Sequence, residues 1–276
     1  MNNNEKNQNY VFRYSLITYL TFWVGILLVG VIYLLTNNEL LMRILTIPLS
    51  WIPTIVLLVM FKKLLPNENK KDWVKKSFSS KINIGLVISV TFAFILSVGL
   101  TYLIMMFSDS GVEKFDLSSV SLSFIVTEII FAIVTGATGE ELGWRGFLQC
   151  HYEKENGGNV IKASVKVGLI WTFWHLLLWF TSTADQPIVF MINHIITFFV
   201  MTMSLAVIIA ICYSRCRNIF IPMWIHFIAN LSLALVNPYF TNNSALMGGK
   251  LWLSIFYVVV AGIFVLWHRK QKHSTD

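Results

Sequence analysis

Long apolar runs separated by short polar ones dominate the chain. Eight of them approach the roughly 20 residues that cross a hydrocarbon core as a helix. They cover about residues 15–35, 40–61, 83–107, 119–148, 162–180, 188–213, 219–236 and 250–267. The pattern predicts an all-α polytopic membrane protein with about eight transmembrane helices in one bundle, because backbone groups inside lipid must be satisfied within each segment. The fourth run is the least apolar. It opens on serines and holds Glu128, Glu140 and Glu141, so it is expected to face the bundle interior. Pro222, near the start of the seventh run, suits a first helical turn, where a missing N–H costs little. The first run is too long for a signal-peptide core and has no small-residue cleavage site after it, so it reads as a retained helix. With no internal repeat and no low-complexity segment, residues 1–276 read as a single integral membrane domain.

Composition agrees. The 276 residues are 56% hydrophobic and only 13% charged, which excludes an ordinary soluble domain. The net charge of +7 does not imply nucleic acid, because the charges fall between the spans. Lys6, Arg13, the lysines from Lys62 to Lys81, Arg145, Lys154, Lys162, Lys166, Arg215, Arg217, Arg269, Lys270 and Lys272 share one side. That side holds eighteen Lys/Arg, against Arg43, Lys114 and Lys250 on the other. The bias predicts cytoplasmic N- and C-termini. The lysine-rich stretch 66–81, with Trp73 and Phe78 interleaved, reads either as a segment attracted to the anionic inner leaflet or as a solvated loop. Cys150, Cys212 and Cys216 give no paired framework. Cys212 and Cys216 lie one turn apart without further ligands nearby, and read as packing.

Against this background a few polar groups stand out, since ionisable side chains at bilayer depth are costly and point to function. Glu140 and Glu141 are followed by Arg145, and two further spans carry His175 and His226, the latter with Asn230 one turn on. At 1.5 Å per residue, His175 lies about 13 Å in from Lys166, His226 about 10 Å in from Ile219, and Glu140 about 20 Å before Glu153. All three therefore fall in the cytoplasmic half. Glu141 and Arg145 are i and i+4 with the acid first, the favourable order for a helical pair. Glu140 is turned about 100° away and is left free to act as a base. Trp171 with His175, and His226 with Asn230, repeat the four-residue spacing. A carboxylate, two imidazoles and an amide in a dry cavity suffice to deprotonate water and hold an oxyanion. Two histidines and a glutamate also match a three-ligand zinc site, although no His-Glu-x-x-His is present. The bland alternative is a set of interhelical hydrogen bonds and a buried ion pair that only lock helices together. Glu128 and His194 fall toward the outer half, and are expected to pair with each other or to line a water path.

At these residues the chain resembles the CAAX prenyl protease and bacteriocin-processing (CPBP, Abi) family of intramembrane proteases. Glu140-Glu141-x-x-x-Arg145, Trp171-x-x-x-His175 and His226-x-x-x-Asn230 look like its three motifs, in order, and the flanks 141–148, 170–176 and 222–226 match as well. Trp171 stands where the family often has Phe. The resemblance covers residues 119–236 and implies an intramembrane endopeptidase of a bacterial cell membrane. Glu140 and His175 would activate the attacking water, His226 and Asn230 would hold the oxyanion, and Glu141 and Arg145 would order them, with Trp171 supporting. The family is often labelled metalloprotease, so the resemblance leaves open either no cofactor or a divalent metal such as zinc on Glu140, His175 and His226. The implied partners are membrane lipid and a membrane-associated protein or peptide, prenylated or carrying a leader, and no nucleic acid. The rival from another class is a non-catalytic protein of the same fold, serving bacteriocin self-immunity or scaffolding the cell envelope. A transporter would need repeated, broken spans in matching positions, which the sequence lacks.

Overall fold

The computed structural model describes residues 3–108, 111–116, 120–181 and 183–273. It is all-helical apart from a single bridge between Val112 and Phe240. Helix α1 (Asn3–Thr36) is followed by α2 (Glu39–Ser50) and α3 (Ile52–Leu64), which share one span and meet at Trp51, between Pro48 and Pro53. A short α4 (Lys70–Ser77) precedes α5 (Ile84–Ser108). One long rod, Leu122–Glu155, contains α6 (Leu122–Ala132), α7 (Thr138–Glu141) and α8 (Cys150–Glu155), joined by a kink at Ile133–Ala137 and a wide π-helical turn at Leu142–Gln149. Then come α9 (Val160–Trp174), α10 (Leu176–Thr181), α11 (Ile188–Cys216), α12 (Phe220–Val236) and α13 (Asn243–His273). Side-chain oxygens mark the entries: Asn38, Ser121 and Asn159 accept the N–H of Leu41 (2.9 Å), Phe124 (3.1 Å) and Lys162 (2.9 Å). Helix α11 is the axis of the bundle, with Ile208 to Cys212 fully buried between α9, α12 and α13.

Among the described residues seven helices are long and apolar enough to cross a membrane, against the eight expected. The difference lies at 162–180, where the chain forms α9 and α10 instead of one continuous span. The cause is local. Nδ1 of His175 bonds the carbonyl of Trp171 at 2.8 Å, the acceptor that its own backbone N–H would use in a continuing helix. That N–H turns to Thr172 O instead (3.1 Å), and the helix restarts one residue later. The broken pair still carries the chain from one end of the bundle to the other. Gln8 of α1 reaches Glu155, Arg217 reaches Glu153, and Arg215 reaches His268 of α13, so the first and last helices share the lysine-rich end.

Arg145 departs from its expected place among the loop charges. It is fully buried within the rod. The stretch 66–81 is also more ordered than a solvated loop: α4 turns Trp73 inward onto Phe61 (ring centroids 5.6 Å), and Asn218 donates to the carbonyl of Phe78.

Candidate active site

The rod is bent where the polar residues begin. Thr135 is extended (φ −102°, ψ 121°) and Gly136 has φ +81°. Irregular backbone at membrane depth survives only where protein satisfies it. Here Trp51 Nε1 donates to Val134 O at 2.9 Å, Thr138 Oγ1 to Ile133 O at 2.7 Å and Thr135 Oγ1 to Phe131 O at 2.5 Å. Gly136 is required twice over. Its φ suits glycine, and a Cβ there would lie 2.9 Å from His226 Nε2 and 3.2 Å from Asn230 Nδ2. The next turn uses a pair of small residues for close approach. A Cβ on Gly139 would sit 2.9 Å from Ser50 O, and one on Gly143 2.8 Å from the backbone of Pro53. The α2–α3 junction therefore lies directly against the segment that carries Glu140 and Glu141.

The two glutamates face different partners. Oε1 of Glu141 accepts from Arg145 Nη1 (2.9 Å) and from His226 Nδ1 (2.7 Å), the latter 85 residues away on α12. Oε2 of Glu140 accepts two indole N–H groups, Trp171 at 2.6 Å and Trp144 at 3.1 Å. Trp171 links the set: its ring lies 4.1 Å beneath the Arg145 guanidinium and 5.1 Å edge-on from His226. Glu140, Glu141, Arg145 and His226 are all buried. Glu140, Trp171, His175, His226 and Asn230 line one cavity of about 370 Å³, together with Gly136 and apolar side chains that include Phe22, Ile26 and Phe198.

Hydrogen-bond chemistry fixes what the histidines present. A carbonyl and a carboxylate only accept, so Nδ1 donates in both rings. A neutral His175 or His226 then carries its lone pair on Nε2. Among the described residues no three His, Cys, Asp or Glu gather as a metal-binding cluster. The set Glu140, His175 and His226 therefore does not fit a three-ligand site in this arrangement. Cys212 and Cys216 are buried in the core.

Two features lay outside the sequence reading. Trp144 is a direct partner of Glu140, and its i,i+4 spacing was the available signal. The bond from Glu141 to His226 had no local signal. The expected partnership of Glu128 with His194 is not formed. Glu128 instead takes two bonds from Arg43 Nη2, at 2.8 and 3.0 Å, and His194 Nδ1 lies 3.0 Å from Lys250 Nζ. Each acid or base found the cation on a helix beside it.

The bundle thus combines helices long and apolar enough to cross a membrane with a cavity lined by a carboxylate, two imidazoles and an amide. Residues 122–232 match the family described as Type II CAAX prenyl endopeptidase Rce1-like. Over 193 residues, 67% of this chain and 69% of its counterpart, the sequence is 29% identical to a protein of Methanococcus maripaludis named CAAX prenyl protease 2. Over this segment the chain is similar to the Rce1-like CAAX prenyl endopeptidases, a family of proteases. The matched segment runs from the start of the bent rod to Ser232 of α12, and it contains Glu140, Glu141, Arg145, Trp171, His175, His226 and Asn230.

Proposed function

We propose that this protein is an intramembrane endopeptidase that cleaves membrane-associated peptides by activating water with Glu140 and His175. The observation that carries the reading is the convergence of Glu140, His175, His226 and Asn230 on one cavity, from three separate helical segments. Glu140 has one oxygen anchored by two indoles, and no protein group among the described residues bonds the other. That oxygen and Nε2 of His175 are the acceptors for a water proton. Water adds to the peptide carbonyl carbon, the new C–O bond forms, and the proton passes to Glu140. Asn230 and His226 face the oxygen that becomes negative. With both glutamates ionised and Arg145 cationic, an imidazolium at His226 makes the buried set neutral and turns its Nε2 into a donor, which suits an oxyanion. Collapse breaks the C–N bond, and the proton held by Glu140 goes to the leaving amine. No step is routed through a metal.

The lysine-rich end is read as cytoplasmic, which puts the cavity in the cytoplasmic half of the membrane. The substrate follows from the relative's name only as a class: a protein held at the membrane near its cleavage site, by a prenyl group or otherwise. Comparing membrane peptides from cells expressing wild type and Glu140→Ala tests the reading. Peptides that end at a common new terminus in wild type alone are expected, and identical peptide sets in both would contradict it.

A further inference from the structure

A second cavity, of about 350 Å³, opens at the lysine-rich end of the bundle. Helix α4 supplies one wall with Trp73, Lys76 and Ser77. The rod supplies Cys150 and Lys154, and the end of α11 supplies Tyr213 and Arg217. Arg217 is held from several sides. Its backbone is left-handed (φ +49°), Nη2 donates to Glu153 at 2.5 Å, Nη1 points to Cys150 Sγ at 3.7 Å, and the guanidinium lies 5.5 Å from the centre of the Tyr213 ring. Lys76 and Lys154 are exposed and form no ion pair among the described residues. Three cations thus border one concave space; Glu153, behind the lining, pairs with Arg217, and Glu68 is the one acid of the lining itself.

We propose that this cavity binds a phosphate-bearing anion, as an anionic lipid headgroup presents it, through Lys76, Lys154 and Arg217. The fixed guanidinium matches phosphate oxygens with little reordering, and the two unpaired lysines complete the charge. The position favours a lipid. The walls run from apolar Leu64 and Phe147 to the polar α4 segment, so the cavity straddles the edge of the apolar bundle, with the tryptophan expected at such an interface. The lysine-rich stretch then contributes a defined site through Lys76, beyond the diffuse attraction of its other lysines. The cavity also touches the catalytic segment: a Cβ on Gly146, next to Arg145, would meet Trp73 at 3.3 Å. This proposal does not depend on the protease reading.

Thermal unfolding of the purified full chain, in a zwitterionic lipid–detergent mixture titrated with phosphatidylglycerol, tests it. Wild type is expected to rise saturably by about 5 °C, since a ligand bound only to the native state stabilises by mass action. Lys76→Gln with Lys154→Gln should lose most of that rise and keep the unfolding temperature measured without anionic lipid. Lys154→Gln alone, expected to lose part of it, serves if the double variant does not fold. Lys70→Gln with Lys71→Gln, on the same helix but outside the cavity lining, should keep the full rise. Equal losses in both lysine pairs, or no rise in wild type, would overturn the proposal. A saturable rise with inorganic phosphate alone, lost with Lys76 and Lys154, would retain the anion site and assign it to a soluble phosphate. No rise with phosphate assigns it to lipid.

Discussion

Two groups of charges lie inside the apolar bundle, and they are built differently. Toward the end away from the lysines, Arg43 holds both oxygens of Glu128 and rests 4.2 Å over the ring of Phe131. Arg43 remains 41% exposed. In the other group Glu140, Glu141, Trp144, Arg145, Trp171 and His226 share partners, and all are at most 5% exposed. In that group Glu141 Oε2 and Arg145 Nη2 are buried with no hydrogen-bond partner among the described residues. Charge within a span is therefore not by itself the sign of a site. The informative combination is full burial, shared partners and a cavity onto which several helices turn polar atoms.

The comparison predicts unequal costs for equal chemistry. Glu141→Gln removes the carboxylate charge that Arg145 and His226 share, and leaves a buried cation uncompensated. We expect a stability loss of about 3–5 kcal/mol, the range for breaking a buried pair, together with loss of turnover. Glu128→Gln breaks a half-exposed pair and should cost about 0–1 kcal/mol. Chemical or thermal unfolding of the two variants side by side measures the contrast, and equal losses would erase it. Asn230→Ala separates reaction from folding. It should lower turnover about a hundredfold, the scale for one oxyanion donor, while the unfolding midpoint stays near wild type.

These contrasts also divide what sequence could tell from what it could not. The pairing of Glu141 with Arg145 and the turn relating Trp171 to His175 are consequences of helical spacing, so they were legible. The spans followed from apolar length, except where His175 takes a backbone acceptor from its own helix and ends it. The bond between Glu141 and His226 joins residues 85 apart, and the choice of Arg43 as partner of Glu128 depends on which helices are neighbours. Neither is a function of local pattern. The bend at Thr135 and Gly136 is similar, because it is supported by Trp51 from another span.

Two smaller effects sharpen the account. Gly136→Ala forces a Cβ to within 2.9 Å of His226 Nε2 and strains a backbone at φ +81°. A cost of about 1–3 kcal/mol is expected, with turnover falling further than stability because the displaced ring belongs to the site. Unfolding and turnover of one preparation give both values. Smallest of all is the effect of metal removal. Phenanthroline or EDTA should change turnover by less than about twofold, since in the proposed mechanism Glu140 and His175 supply the acceptors that water needs. Abolition by chelator and rescue by zinc would instead make Glu140, His175 and His226 ligands.

The most direct measurement compares turnover of one identified membrane peptide by wild type, Glu140→Gln and Glu128→Gln, each shown to be folded in detergent. Glu140→Gln keeps the shape and removes the base, so its turnover should fall to background, while Glu128→Gln should stay close to wild type. Wild-type cleavage by Glu140→Gln would contradict the assignment of this cavity as the hydrolytic centre.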